Sequence, residues 1–278
     1  MQTAETKAKA PTRVFLDEVM PSPLVFPFAS GTVAVYSTRG PDKETPNEDA
    51  AALLPYDERS GVLVVADGLG GGPAGERAAA LAVTTLKSCV VAAARDGSLL
   101  RSAIIDGLEK ADAAVGELGV GAATTLAAVE IHDGAVRPYH IGDSVILVTG
   151  NRGKIKLQTV SHSPLGYAVE SGMFGEEYAM HHDERHLISN ALGTGDMRIE
   201  IGPSLDLAPR DSVILATDGL VDNLHTDEII AAARKGPIQG SAAKLAREAS
   251  ERMVQSRDGR PSKPDDVTLI LFRRGPGG

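Results

Sequence analysis

The chain has 278 residues, a single cysteine and a formal net charge of −9 at pH 7. Such a length favours one domain with a sizeable core over two, and the acidic balance argues against a general nucleic-acid or anionic-membrane surface while suiting a cation-binding site. The sole cysteine, Cys89, excludes an intramolecular disulfide and any cysteine-based zinc cluster, and it suits a reducing cytoplasm.

Residues 1–30 read as an N-terminal tail. A polar lead, without the basic-then-apolar order of a signal peptide, runs into VMPSPLVFPF, where Pro21, Pro23 and Pro27 disfavour regular structure and the phenylalanines are expected to pack on the domain. The domain proper is expected over 31–274, with 275–278 as a short flexible C-terminal tail. Strands are predicted over 32–37, 50–55, 62–67, 124–132, 135–142, 145–150, 154–160, 212–218 and 267–273. Asp133-Gly134 and Asn151-Arg152-Gly153 carry hairpin chemistry between consecutive runs, which makes the middle of the chain antiparallel.

Helices are predicted over about 75–94 and 99–117, following the third strand. Two more are predicted before the last strand, over 226–235 with Thr226 as N-cap and over 239–255, where Ala242, Leu245, Ala249 and Met253 recur at helical spacing. Cys89 falls in the apolar segment Ser88 to Ala94 and reads as a small core residue. Central strands with helix pairs after the third and before the last predict an α+β fold of packed antiparallel sheets covered by helices. No run approaches the roughly 18 apolar residues of a bilayer span.

GVLVVADGLGGGPAGERAAALA, residues 61–82, ends an apolar run on Asp67 and breaks into glycines before an alanine-rich segment. Gly70-x-Gly72-x-x-Gly75 fits a dinucleotide fingerprint, with Asp96 about twenty residues on. Two features oppose that reading: Asp67 would set a carboxylate beside a pyrophosphate, and the strands that follow look like hairpins rather than crossover-linked parallel partners.

Acids at run ends give a better reading. Asp67 and Asp218 each close an apolar run and precede glycine, Asp143 follows YHIG, Glu48-Asp49 introduces AAALLP, and Asp265-Asp266 introduces VTLILF. Taken singly, each reads as a solvated turn residue or cap. Taken together, antiparallel order can bring these ends to one edge, where the carboxylates repel unless cations neutralise them. Such hard oxygen ligands favour magnesium or manganese over zinc. Gly68 would let its main-chain carbonyl approach an ion.

These residues resemble the metal-dependent PPM or PP2C-type protein serine/threonine phosphatases, in bacterial style. The matching stretches follow the family's order from about residue 31 to 273: NEDAA (47–51), VVADGLGGGPAGERAA (64–79), ATTLAAV (123–129), HIGDSVIL (140–147), HSPLG (162–166), NALGTG (190–195), DSVILATDGLVDN (211–223) and PDDVTLILF (264–272). The resemblance implies a four-layer α-β-β-α sandwich of two antiparallel sheets flanked by helix pairs. It further implies hydrolysis of phosphoserine and phosphothreonine by a metal-activated water, with no phosphoenzyme intermediate.

Carried over residue by residue, the resemblance places Asp67 between two Mg²⁺ or Mn²⁺ ions with the Gly68 carbonyl on the second, and gives Asp218 and Asp265 to the first. Asp67, Asp218 and Asp265 are thus the catalytic set. Glu48 and Asp49 would hold metal-bound waters, and Asp143, Asp218 and Asp222 form a weaker third-metal site. Asp266 stands where many relatives have Asn, so it competes with Asp265 for the ligand role. Members usually carry a phosphate-gripping arginine four residues before the Glu of the Glu-Asp pair; here that position is Glu44, which leaves Arg39 or Lys43 for the phosphate. Leu69 replaces the histidine suggested as general acid in eukaryotic relatives, so water would protonate the leaving group.

His162 is expected to be structural, HHDERH (181–186) a solvated surface, and 166–190 the variable flap. The partner implied is a phosphorylated protein, a serine/threonine kinase or one of its targets, with no nucleic acid and no membrane. The alternatives are a catalytically weak pseudophosphatase acting as a regulatory binding module, and a phosphatase of small phosphate esters.

Overall fold

The computed structural model describes residues 10–69, 73–119, 121–255 and 259–275. It opens with five strands, β1 (Arg13–Leu16), β2 (Leu24–Phe28), β3 (Gly31–Thr38), β4 (Asp49–Pro55) and β5 (Ser60–Leu69), followed by α1 (Pro73–Asp96) and α2 (Leu100–Glu117). A second run of strands comprises β6 (Ala123–Thr124), β7 (Leu126–His132), β8 (Ala135–Ile141), β9 (Val145–Thr149) and β10 (Ile155–Gln158). The flap holds α3 (Pro164–Glu170), α4 (Glu176–Met180) and a 3₁₀ turn at Asp183–His186. The chain closes with β11 (Glu200–Ile201), β12 (Leu205–Asp206), β13 (Ser212–Ala216), α5 (Asp218–Val221), α6 (Thr226–Ala233), α7 (Ile238–Val254) and β14 (Val267–Arg274).

The strands form two antiparallel sheets. One runs β1-β4-β5-β7-β8-β11, with β12 on β8 and β6 on β5; the other runs β10-β9-β13-β14-β3-β2. Side chains alternate across each strand, and here both faces are covered, which is why the strands read as unbroken apolar runs. Ala51, Leu53, Leu63, Val65 and Val129 of the first sheet meet Val33, Val35, Ile146, Leu215 and Phe272 of the second in the central core. Ala50, Ala52, Leu54, Val62 and Val64 face the other way, onto Ala78, Ala82, Leu86 and Val90 of α1 and Ile104 and Leu108 of α2. The far face of the second sheet, with Ala34, Leu147, Ile214 and Leu271, is covered by Leu220 of α5, Ile229 and Ala233 of α6 and Leu245 and Ala249 of α7. The result is the four-layer α-β-β-α sandwich expected from the sequence.

Helix α1 is long and apolar enough to cross a membrane by length and composition, but its apolar side is the lid of the first sheet. Cys89 lies half-buried where α1 passes Gly107 of α2.

The N-terminal segment differs from expectation. Residues 13–16 pair with β4 and residues 24–28 with β3, so the presumed tail contributes a strand to each sheet. Pro27 is tolerated because β2 is an edge strand with a neighbour on one side only. The β2–β3 connection turns through Ala29 (φ 43°) and Ser30 (φ 61°), a left-handed pair normally marked by Asn or Gly, which hides the hairpin in the sequence. Phe28 is buried, and Phe26 stacks near Phe15 with the Arg13 guanidinium 4.0 Å from its ring centre. Residues 1–9 and 276–278, and with them most of the expected C-terminal tail, lie outside the described residues, as does the Gly70–Gly72 part of the dinucleotide fingerprint. What is described opposes that fingerprint: β5 has only antiparallel neighbours.

The cap of α6 also differs. His225 precedes the helix, with its N–H donating to Glu228 at 3.0 Å, while the Thr226 hydroxyl donates across to Glu176 of the flap at 2.7 Å.

Candidate metal centre

The acids gather where strands of both sheets begin or end. Asp49 opens β4 and Asp67 lies near the end of β5, directly opposite it in the ladder. Asp143 precedes β9, Asp218 opens α5 after β13, and Asp265-Asp266 precede β14. These three strands are consecutive neighbours in the second sheet. Stacking the two sheets therefore sets all the acid-bearing ends at one mouth. A cross-sheet hydrogen bond fixes it, as the Thr217 hydroxyl donates to Asp49 Oδ2 at 2.8 Å.

Asp49 and Asp67 are held through their backbones. Asn47, fully buried, donates its side-chain amide to Glu18 O and Ser37 Oγ and accepts from the Asp49 N–H, while its own N–H reaches Asp17. The N-terminal segment thus orders the Glu48-Asp49 pair. Around Asp67, the Thr125 hydroxyl accepts the Asp67 N–H at 3.1 Å, and the Thr124 hydroxyl and Thr125 N–H both donate to the Asp67 carbonyl. Thr125 Oγ1 lies 2.7 Å from Ser144 Oγ, which links this strand to the segment carrying Asp143.

Gly68 has a reason beyond an exposed carbonyl. A Cβ there would lie 2.2 Å from the Gly75 carbonyl oxygen, so bare backbone is what lets the start of α1 close on β5. A Cβ at Gly219 would lie 1.8 Å from the Asp266 carbonyl oxygen, so the same device presses α5 against the segment before β14.

The electrostatics are those of crowded, dehydrated carboxylates. Burial first, then the charges of Asp218, Asp49, Asp265 and Asp143, hold the Asp67 carboxyl well above the ordinary carboxylate range. Burial and the Asp266 charge do the same for Asp49. Asp143 is pushed up to about 8, by burial and then by Asp218 and Asp222, and Asp265 to about 6, by burial and then by Asp218. Asp49 Oδ1 and Asp143 Oδ1 are buried with no hydrogen-bond partner among the described residues. Orphaned carboxylate oxygens in an all-oxygen donor set are what hard divalent cations require, so the residues fit Mg²⁺ or Mn²⁺.

Asp265 and Asp266 separate cleanly. Asp266 accepts from the Gly40 N–H through Oδ1 and from the Glu48 N–H and Lys43 Nζ through Oδ2, so it buttresses the Glu48 segment from beneath. Asp265 instead lies close enough to Asp218 for their charges to interact. Lys43 has its ammonium 2.8 Å from Glu48 and 2.6 Å from Asp266, held by two carboxylates, whereas Arg39 is exposed just before Gly40, whose backbone packs on Asp265.

Sequence reasoning missed one residue at the heart of the site. Lys263, two positions before Asp265, sets its ammonium 2.5 Å from Asp218, 2.9 Å from Asp222 and 3.1 Å from Asp265. A lysine at that spacing inside SKPDD was the available signal.

A second group, His140, His162 and Glu200, brings its ligand atoms within 4.8 Å of one another. Its hydrogen bonds oppose a metal role. Asn190 is oriented by both backbone groups of Arg198, so its amide and the Gly142 N–H both donate to His162 Nδ1. The proton must then sit on Nε2, which donates to Glu200 at 3.0 Å and offers no lone pair. Burial, then His162, pushes His140 down to about 3, keeping it neutral. His162 is structural, as its sequence context suggested. The histidines of 181–186 are bound locally: His181 and His186 lie within hydrogen-bond reach of nearby carbonyls, and His182 accepts the Glu184 N–H.

A groove of about 700 Å³ opens from the acidic mouth. Asp143, Asp218 and Asp222 line it together with Leu165 and Met180 of the flap, Val221 and Ile230.

Fold and site together define a two-sheet sandwich whose acidic mouth is built for cations beside an open groove. The profile of the protein phosphatase 2C family matches residues 39–255. The chain belongs to that family. It is 28% identical over 238 residues to a protein phosphatase 2C-type protein of Streptococcus pyogenes, covering 82% of this chain and 92% of that one. It is 31% identical over 199 residues to protein phosphatase PhpP of Streptococcus pneumoniae, covering 67% of this chain and 78% of that one. Among solved structures, the catalytic domain of the serine/threonine protein phosphatase PstP, in complex with two manganese ions, superposes with a TM-score of 0.66 at 26% identity, covering 87% of this chain and 96% of that one.

Proposed function

We propose that this protein hydrolyses phosphoserine and phosphothreonine in protein substrates with the help of Mg²⁺ or Mn²⁺. The observation that carries this reading is the convergence of Asp49, Asp67, Asp143, Asp218 and Asp265 from both sheets on one mouth. In this reading Asp67, the Gly68 carbonyl, Asp218 and Asp265 hold two ions directly, Glu48 and Asp49 hold them through water, and Asp143, Asp218 and Asp222 can accept a third. Bound ions would supply Lewis-acid activation of a water and neutralise charge on the phosphoryl group.

The remaining work belongs to the chain. Thr217 and Asn47 aim Asp49, Lys43 steadies Glu48, and Asp266 anchors the loop from Gly40 to Glu48. Arg39 is the better candidate of the two basic residues for the substrate phosphate, because Lys43 is already held between acids. The open groove between the flap and α6 gives a substrate a surface to lie on beside the acidic mouth, and in this reading the substrate is a phosphorylated protein, a kinase or its target. The single, half-buried cysteine is in keeping with a cytoplasmic setting.

Lys263 among the acids favours a second reading, a weak pseudophosphatase that serves as a binding module. Hydrolysis of a phosphothreonine peptide and of an aryl phosphate, each with Mn²⁺, with Mg²⁺ and with EDTA, separates the readings. Metal-dependent turnover with the peptide preferred in kcat/KM supports the proposal. Equal use of both compounds moves the assignment to small esters, and silence with Mn²⁺ binding retained moves it to the binding module.

A further inference from the structure

The acidic mouth contains its own cation. The Lys263 ammonium donates to Asp218 at 2.5 Å and forms ion pairs with Asp222 at 2.9 Å and Asp265 at 3.1 Å, so one cation serves three carboxylates.

The backbone of Lys263 is clamped. Asn223, fully buried, accepts the Lys263 N–H through Oδ1 at 2.8 Å and donates through Nδ2 to the Lys263 carbonyl at 2.9 Å. The preceding Ser262 carbonyl takes a hydrogen bond from Arg185 of the flap, and the Ser262 hydroxyl donates to the Arg252 carbonyl. The root of the side chain is therefore fixed while its flexible four-carbon stem, 21% exposed, has a way out to solvent.

We propose that Lys263 is a built-in competitor for divalent cations: its ammonium and a divalent ion are alternative occupants of the pocket formed by Asp218, Asp222 and Asp265, and metal loading swings the lysine out. This inference rests on the reading of the mouth as a metal centre and deepens it. A single positive charge neutralises the three carboxylates only in part, so the divalent ion wins when its concentration is high enough. Lys263 thereby sets the concentration at which the site fills, since the charge around a hard cation tunes its affinity.

The test is Mn²⁺ titration calorimetry on the EDTA-stripped full chain, comparing wild type with Lys263→Met and Lys263→Arg. Lys263→Met is expected to tighten Mn²⁺ binding by about tenfold, to lower the metal-free melting temperature, and to enlarge the rise on adding Mn²⁺. Lys263→Arg is expected to keep weak binding. A measurement on wild type needs no variant to fold: acetylation of Lys263 by an amine-reactive reagent, read by mass spectrometry, is expected to speed up when Mg²⁺ is added. Unchanged Mn²⁺ affinity in Lys263→Met, or Lys263 labelling indifferent to Mg²⁺, overturns the competition and leaves the metal centre standing. No Mn²⁺ binding by wild type or by Lys263→Met overturns both.

Discussion

The Thr217 hydroxyl, one residue past the end of β13 of the second sheet, donates to Asp49, which opens β4 of the first, at 2.8 Å. Thr217 also accepts the Thr268 N–H at 3.0 Å, so one buried hydroxyl ties three acid-bearing segments together. Thr217→Val keeps the shape and removes the hydroxyl, leaving the Thr268 N–H buried and unpaired and Asp49 Oδ2 short of one donor. The expected cost is about 1–3 kcal/mol, read by urea denaturation of the metal-free protein. A loss within error would mean that the sheets are not held together there.

Burial, and after it charge repulsion, makes a pH prediction for the mouth. Asp143 at about 8, Asp265 at about 6, and Asp67 and Asp49 all sit above the ordinary carboxylate value of 3.8 that the unfolded chain recovers. Between those values the folded, metal-free protein binds more protons than the unfolded one, so its stability falls as pH rises and the loss is complete only above about pH 8. Melting temperatures from about pH 5 to pH 9 in EDTA should therefore decline, and saturating Mg²⁺ should flatten the slope. A metal-free profile as flat as the loaded one would contradict this.

Gly219→Ala tests the close approach that brings Asp218 to Asp265. Its Cβ would sit 1.8 Å from the Asp266 carbonyl oxygen, a main-chain atom that can yield only if β14 shifts. We expect a loss of about 1–3 kcal/mol or more, together with weaker Mn²⁺ binding by calorimetry. Stability and binding close to wild type would show that the two segments have slack.

Arg39 and Lys43 should part company in kinetics. Arg39→Ala is expected to raise KM for a phosphothreonine peptide by about tenfold with a smaller change in kcat. Lys43→Ala should instead lower stability, because it strips Glu48 and Asp266 of their shared counterion. The opposite pattern would return the phosphate role to Lys43.

The residues that make the layers were legible because strands buried on both faces are unbroken apolar runs, and the acids were legible because they punctuate those runs. The edges were not. β2 carries Pro27 and turns through Ala29 and Ser30 without a glycine, so the chain's own shape overrides the local signal. The short β11 and β12 pair with β8 through contacts that no local periodicity encodes. Within the site, Asp265 and Asp266 are indistinguishable in PDD, and only the N–H groups of Gly40 and Glu48 reveal which of them is buried support. Asn47, Asn223 and Lys263 do their work across long stretches of chain, so their partners became visible only in three dimensions.

Asp67 lies opposite Asp49 and feels the charges of Asp218, Asp265 and Asp143, which puts it at the centre of the proposed chemistry. The most direct measurement is steady-state hydrolysis of a phosphothreonine peptide by wild type and Asp67→Asn, each stripped with EDTA and then titrated with Mn²⁺. We expect wild-type turnover to rise from background with Mn²⁺ and the variant to lose at least about a hundredfold in kcat. Turnover that survives EDTA, or a variant that keeps near-normal kcat, would contradict a metal-dependent reaction centred on Asp67.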